Sequence, residues 1–388
     1  MDYAIRVFAP QSPEELALML RDASEQKTTV ALSGRSTKAR MAGPVEPAGM
    51  SISTAALNRV LQYAPGDLTI SVEAGLPWSE LTRTLAQNRQ MIPLDPPWAD
   101  AATVGGVIAS NSSGPRRRLY GTARDLVIGM KFATLEGKLV QSGGMVVKNV
   151  AGLDMAKLMI GSFGTLAAVA VVNFKVMPSP EVERSFLLPF DSLAAAIAAR
   201  NQILAGPLQP AAIDLLNPQA GASVGNHAWL LAVRAAGNAA TVDRYEREFA
   251  ALADGVAFEN SRQDTLWRRL QDFTPRFLER HPDGAVVRVS CTLKELEGVA
   301  ASLDAPMVAR AGSGVCYGYF EQSGAAAHWV TEAVQKGRKA IIEFSPEARK
   351  QELDLWPSPG ADWEIMKRIK HLFDPENLLN RGRLYRRI

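Results

Sequence analysis

The stretch TVGGVIASNSSGPRRRLYG, Thr103 to Gly121, gathers bare backbone, hydroxyl, amide and guanidinium groups into one short segment. Glycines such as Gly105 and Gly106 let main chain approach a flat or anionic ligand closely. The side chains of Thr103, Asn111 and Ser113 offer hydrogen bonds to it, Gly114 provides a turn, and Arg116–Arg118 supply positive charge. A second stretch, Ser33-Gly34-Arg35-Ser36-Thr37-Lys38, follows an apolar run. Its successive N–H groups, with the Ser36 and Thr37 hydroxyls and one cation assisting, suit a pyrophosphate. Two more glycine loops follow, Gly143–Asp154 and Gly161–Thr165. Neither GxxxxGK[ST] nor GxGxxG occurs, which leaves out the P-loop and the NAD-type fingerprint. Each loop alone reads equally as an ordinary turn, but four in order at strand edges point to one extended ligand.

Positioning such loops takes alternating strands and helices. Ile5–Phe8, Thr29–Leu32, Leu68–Val72, Leu126–Thr134, Lys138–Gln141 and Leu166–Val176 read as strands. Ser12 as N-cap, Pro13 at the first helical position and Glu15 closing a capping box start a helix. Trp78, Leu81 and Leu85 mark a second helix, and Pro93, Pro96 and Pro97 punctuate the approach to Thr103. Pro178-Ser179-Pro180 reads as a boundary. An alanine-rich α/β region spans about 181–335, and a tail, 336–388, contains a helix over 362–373 with an apolar face of Ile365, Ile369, Leu372 and Phe373.

Composition narrows the function. The 388 residues are 47% hydrophobic and 21% charged with a net charge of +3, which fits a globular chain and argues against nucleic acid as a partner. The apolar run Leu166–Val172 is too short to span a bilayer, and MDYAIRVFAP has no signal-peptide pattern, so a cytoplasmic location is expected. Cys291 and Cys316 are isolated, and His227, His281, His328 and His371 are scattered, so no metal or iron–sulfur site is expected within the chain.

In order and wording the loops resemble the FAD-binding domain of the vanillyl-alcohol oxidase/p-cresol methylhydroxylase superfamily. The resemblance covers about residues 1–180 and the tail, where FDPENLLNRGRLY matches the family's ending. It implies an α+β fold: a two-subdomain FAD-binding domain (1–180), a cap domain (181–335) and a C-terminal segment (336–388) returning to the FAD. The first loop would wrap the pyrophosphate with Ser33, Gly34, Arg35, Ser36, Thr37 and Lys38. Pro97, Thr103, Val104, Gly105, Gly106, Ala109, Asn111, Ser113 and Gly114 would run beside pyrophosphate and flavin. YGTARDLVIG would add Tyr120, Gly121 and Asp125, and IGSFGTLAAVAVV would add Gly161, Gly164, Thr165 and Val169. The tail would bring Asn380 back toward the flavin.

Arg35-Ser36-Thr37 departs from the glycine pair and threonine of many relatives, and the histidine that bonds flavin covalently in some is missing from these segments, so the FAD is expected to be non-covalent. Within the superfamily, GPRRRLYGTARDLVIG and VVKNVAGLDMAKLMIGSFG are most similar to the E-subunit family of bacterial glycolate oxidases. That similarity implies a flavoprotein subunit that takes or relays electrons from glycolate, or another small 2-hydroxy acid. Its partners would be a related flavoprotein subunit and an iron–sulfur subunit, and membrane contact would come only through them. A self-sufficient FAD-dependent hydroxy-acid dehydrogenase and an assembly subunit that merely carries FAD are the alternatives. No catalytic residue is assigned.

Overall fold

The computed structural model describes residues 7–146 and 152–388. The chain divides into two compact units. One comprises the N-terminal part through Ser113, Thr122–Ser179 and Pro359–Ile388; the other comprises Gly114–Gly121 and Pro180–Ser358. The arginine segment Arg116–Arg118 thus belongs to the second unit, and the tail divides at 358/359 rather than returning whole from 336.

In the first unit the strand Val30–Ser33 pairs in parallel with Met50–Ser53, which pairs in parallel with Val7–Phe8. The helix Pro13–Glu25 packs its buried Leu16, Ala17, Leu20 and Ala23 into the core these strands share. Its start follows from sequence: Ser12 Oγ accepts from Glu15 N at 3.1 Å, satisfying one of the unpaired N–H groups of the first turn. Glu15, however, accepts from Gln11 N at 2.6 Å, one residue earlier than a capping box requires. An antiparallel five-stranded sheet completes the unit. Its central strands, Thr69–Glu73, Ala168–Lys175 and Val127–Ala133, are mostly buried, which explains their continuous apolar runs.

The C-terminal helix Trp363–Phe373 departs from the expected apolar face. Ile369 and Phe373 pack on the core, but Ile365 and Leu372 are exposed, while Lys370 is buried. Lys370 turns inward because its Nζ donates to Asp374 at 2.6 Å, Thr165 O at 2.8 Å and Leu379 O at 3.2 Å. Asp374 in turn accepts from the N–H groups of Leu378 and Leu379. A buried charge tolerates its surroundings only when so paired, and this clamp fixes where the chain leaves the helix.

The second unit is built on one eight-stranded sheet, antiparallel throughout, so this region is α+β rather than α/β. Strand alternation assigns its faces. Asp214 lies opposite Arg310, Val308 opposite Tyr317, and Tyr317 opposite Arg288. These residues therefore share one face. Phe186 points to the other, where Phe249 of the helix Ala239–Ala250 meets it edge-on at 5.0 Å.

Candidate functional site: a glycine-loop cluster and a charged sheet face

In the first unit the first, second and fourth glycine loops meet. The strand Val30–Ser33 delivers the first loop, whose Ser33 and Gly34 carbonyls accept from Thr54 Oγ1 and Ser53 Oγ, each at 3.2 Å. Ser36 sits at φ 54°, turning the loop sharply. Gly34 abuts Thr103 so closely that a Cβ there would overlap Thr103 Oγ1 and lie 3.3 Å from its Cβ and Cγ2. Thr103 is the N-cap of the short helix Val104–Ala109, accepting from Gly106 N at 3.2 Å. Gly105 presses its N–H against Ala74 O at 2.6 Å, and a Cβ there would lie 2.9 Å from Ala74 Cβ. The second loop then binds the fourth: Gly161 N donates to Ile108 O and Phe163 N to Ala109 O, at 3.1 and 2.8 Å.

Asn380 joins the fourth loop to the first. Its Oδ1 accepts from Leu32 N at 2.7 Å, and its Nδ2 donates to Phe163 O at 2.8 Å and Leu32 O at 3.3 Å. Gly164, at φ +70°, leaves room for this amide, since a Cβ there would lie 2.9 Å from Nδ2. Asn380 thus holds loops in place, and its side chain is committed to backbone partners. Arg383 does the same for the first loop, donating to the carbonyls of Lys38, Ala39 and Gly43. Arg381 pairs with Glu46 at 3.2 Å. The tail arginines thereby have structural partners that their sequence position did not reveal.

Among the described residues of this cluster, Lys38 Nζ and Arg381 Nε are buried without a hydrogen-bond partner, and Lys38 has no other polar atom to share its charge. Lys38 is 7% exposed, and its Nζ has no hydrogen-bond partner. Burial pulls its pKa down to about 8, because a desolvated ammonium disfavours its charge. An unpaired cation among backbone-rich loops is the counterpart of a bound anion.

The remaining sequence candidates are spread more widely. Thr165 and Val169 are buried, Thr165 with its hydroxyl on Ser162 O. Asn111 takes φ 48°, and Pro97 and Ser113 are half-buried. Asp125 accepts from Thr122 N at 2.8 Å and caps the helix Ala123–Leu126. Gly114, Tyr120 and Gly121 belong to the second unit. Of the third loop, Gly143 packs on Ile128 and Gly129, and the Val147–Ala151 part of the KNVAG element lies outside the described residues. His281 stacks on Phe277 at 4.6 Å and His328 pairs with Glu332 at 3.0 Å. Among the described residues no group of three or more His, Cys, Asp or Glu side chains is placed to hold a metal ion, and no helix is long and apolar enough to cross a membrane.

The second unit holds a constellation that sequence reading missed. Arg310 and Asp214 are buried and form an ion pair. The Arg310 guanidinium lies 5.8 Å from the Tyr317 ring centroid, within cation–π range. Burial opposes the Arg310 charge, but Asp214, Tyr317 and Tyr319 outweigh it and hold its pKa above the usual value. Arg288 Nη1 lies 3.7 Å from Glu343 Oε1. Burial pushes the Glu343 pKa up, with Arg288 and Arg117 opposing. Arg117, from the segment that joins this unit, has its pKa lowered by burial and by crowding from Arg288 and Arg310. The available signal was a charge set in a largely apolar strand, as with Arg288 in AVVRVS, Arg310 in MVAR and Glu343 in KAIIEF.

Comparison with known proteins decides the family. The FAD binding domain family matches residues 4–143, and the C-terminal domain of FAD linked oxidases matches 179–355 and 357–384. The chain belongs to the FAD-linked oxidases. Its FAD binding domain makes FAD its cofactor. Glycolate oxidase subunit GlcE of Escherichia coli K12 is 34% identical over 173 residues, 44% of this chain and 49% of that subunit. Subunit GlcD of Bacillus subtilis 168 is 30% identical over 213 residues, 54% of this chain and 45% of its own length. The matched region thus spans about half the length of either subunit. D-2-hydroxyglutarate dehydrogenase of Xanthomonas citri pv. viticola is 25% identical across 98% of this chain and 89% of its own. The fold also matches p-cresol methylhydroxylase with substrate bound, at a TM-score of 0.75 and 16% identity, covering 98% of this chain and 88% of that one. The FAD-linked oxidase fold thus agrees with the α+β, vanillyl-alcohol-oxidase-type architecture expected from sequence. The loop cluster fits FAD: a desolvated ammonium without an anion, and glycines at points of close backbone approach, match a diphosphate-bearing ligand.

Proposed function

We propose that this chain oxidises a small 2-hydroxy acid as the FAD-bearing subunit of a glycolate-oxidising complex, passing electrons to a related flavoprotein and an iron–sulfur partner. The observation that supports it most is the convergence of three glycine loops on Asn380 and Thr103 in a chain similar to GlcE. The first unit holds the cofactor. In this reading Lys38 and the loop N–H groups of Gly34–Thr37 receive the diphosphate, and Gly105 and Gly106 let main chain pass beside the cofactor. Pro97, Asn111 and Ser113 flank that path. Asn380 and Arg383 act by fixing the loops.

When bound, FAD supplies a two-electron acceptor for the carbon–hydrogen bond of the hydroxy acid. This chain's residues bind, orient and exclude water. A test is direct: the purified chain with glycolate and a reducible dye is expected to turn over slowly alone and fully once both partner subunits are added. Equal rates with and without partners would replace the complex with a self-sufficient dehydrogenase. Because no histidine lies in the loop cluster, FAD is expected in the supernatant after acid precipitation, leaving a colourless pellet. Flavin retained by the precipitated polypeptide would overturn the non-covalent assignment.

A further inference from the structure

The fourth glycine loop contains a residue whose backbone conformation costs free energy. Gly161, Phe163 and Gly164 all take positive φ, at 84°, 54° and 70°. Glycine adopts that region freely, whereas a bulky side chain there is a strained exception. Two of the three positions carry the residue that avoids the strain, and the one between them carries an aromatic ring. Asn111 and Asn380, in the segments that meet this loop, also take positive φ, at 48° and 42°, but asparagine tolerates it. Phenylalanine has no polar side chain to help it. Such strain persists only where the surrounding contacts over-determine it.

Those contacts come from two other segments. Phe163 N donates to Ala109 O at 2.8 Å, at the end of the helix that Thr103 caps, and Phe163 O accepts from Asn380 Nδ2 at 2.8 Å. The ring meets Tyr385 edge-on, with centroids 6.1 Å apart and planes at 86°, a favoured aromatic geometry. The Arg383 guanidinium lies 6.0 Å from the ring centroid, within cation–π range. Arg383 in turn donates to the carbonyls of Lys38, Ala39 and Gly43. Phe163 therefore joins the fourth loop to the second through its N–H, and to the tail through its carbonyl and ring. Through Arg383 it also reaches the first loop.

We infer that Phe163 is a positioning residue for FAD: its ring locks the tail onto the fourth loop, so that tail docking and cofactor binding stabilise each other. The strained backbone makes the lock conditional. Without the ring contacts the loop relaxes toward negative φ, and Phe163 N leaves Ala109 O, which frees the end of the second loop's helix. Linkage is reciprocal, so FAD must tighten the tail by the factor by which the docked tail tightens FAD. The inference rests on FAD as the cofactor and is independent of which acid is oxidised.

The test uses the full chain, stripped of FAD and titrated with it. Wild-type protein gives a readout independent of variant folding: hydrogen exchange over residues 377–388 is expected to slow about tenfold or more on FAD addition, beyond any change in the second unit's sheet. Phe163→Leu keeps the strained backbone and loses the ring, and Phe163→Gly loses both. Each is expected to weaken FAD binding about tenfold and to abolish most of the tail protection. Phe163→Tyr, which keeps the ring, should restore both. The FAD-free Phe163→Gly chain should resist denaturant at least as well as Phe163→Leu, because relieved strain offsets the missing side chain. A residue that only fills space would make glycine the less stable of the two. Wild-type FAD affinity in both the leucine and glycine variants, no FAD-dependent protection of the wild-type tail, or a tyrosine variant as weak as leucine would each overturn the inference. If FAD protects the tail but glycolate never reduces the flavin, alone or with partners, the lock stands and the hydroxy-acid reading falls.

Discussion

Gly34→Val is expected to weaken FAD binding on the order of 100-fold or more while the chain still folds. A Cβ at this position overlaps Thr103 Oγ1 and stands 3.3 Å from Thr103 Cβ and Cγ2. Thr103 is 2% exposed, and its hydroxyl caps Gly106 N, so it cannot turn away without giving up that bond. The loop must shift instead, and the N–H groups after Gly34 lose their aim. Hydrogen bonds to charged groups contribute about 1.5–3 kcal/mol each, so two lost bonds account for the expected change. A fluorescence titration of the apo chain with FAD measures it.

A second-site variant separates this cause from general damage. Thr103→Ala alone removes a helix cap, costing about 1 kcal/mol. In a Gly34→Ala background the same change removes the obstructing Oγ1 and Cγ2. The pair should therefore bind FAD better than the sum of the single losses, with a coupling of about 1 kcal/mol. Strict additivity, or unchanged affinity in a folded Gly34→Val chain, would refute the contact between these loops as the determinant.

The loops were legible because their demands are local. A backbone that must come close to a ligand or turn at positive φ selects glycine and small polar residues wherever it occurs in a chain. Gly34, Gly105 and Gly164 therefore stand out without a fold. The groups that hold those loops are different. Asn380 and Arg383 bond to partners some 340 positions earlier in the chain, and nothing in FDPENLLNRGRLY shows that its amide and guanidinium are spent on carbonyls. A similar limit applies to the tail helix. Its spacing supports a face through Ile365 and Leu372, but a salt bridge to Asp374 turns Lys370 inward and rotates the buried stripe. The charged face was least visible. It assembles one residue from each of several antiparallel strands, and only the register places Arg288, Arg310 and Tyr317 together. Arg116–Arg118 show only positive charge in the sequence, whereas Arg118 donates to Pro210 O at 3.0 Å and Gln209 Oε1 at 2.5 Å within the second unit.

Lys38→Met is expected to move stability and cofactor affinity in opposite directions. Burial lowers the Lys38 pKa from its ordinary 10.5 to about 8. The folded apo chain therefore binds fewer protons than the unfolded chain between those pH values. Its stability rises with pH through that window, and the cost of the buried ammonium is fully present below pH 8. The difference, 10.5 minus 8, corresponds to roughly 3 kcal/mol at 1.36 kcal/mol per pH unit. Methionine fills much of the same space without the charge. The apo variant should therefore gain up to roughly 3 kcal/mol at pH 7, and the gain should fade as pH approaches 10.5. The same substitution removes a cation from the diphosphate, weakening FAD binding by about 10- to 100-fold. Wild-type affinity should fall as pH rises above 8, where the apo chain loses the proton, and the variant should lack that dependence. Chemical denaturation of the apo chain, followed through the first unit, and FAD titration across pH 6.5–10 measure both effects. A variant less stable than wild type at pH 7, with unaltered affinity for FAD, would mean that Lys38 serves the apo fold and not the anion.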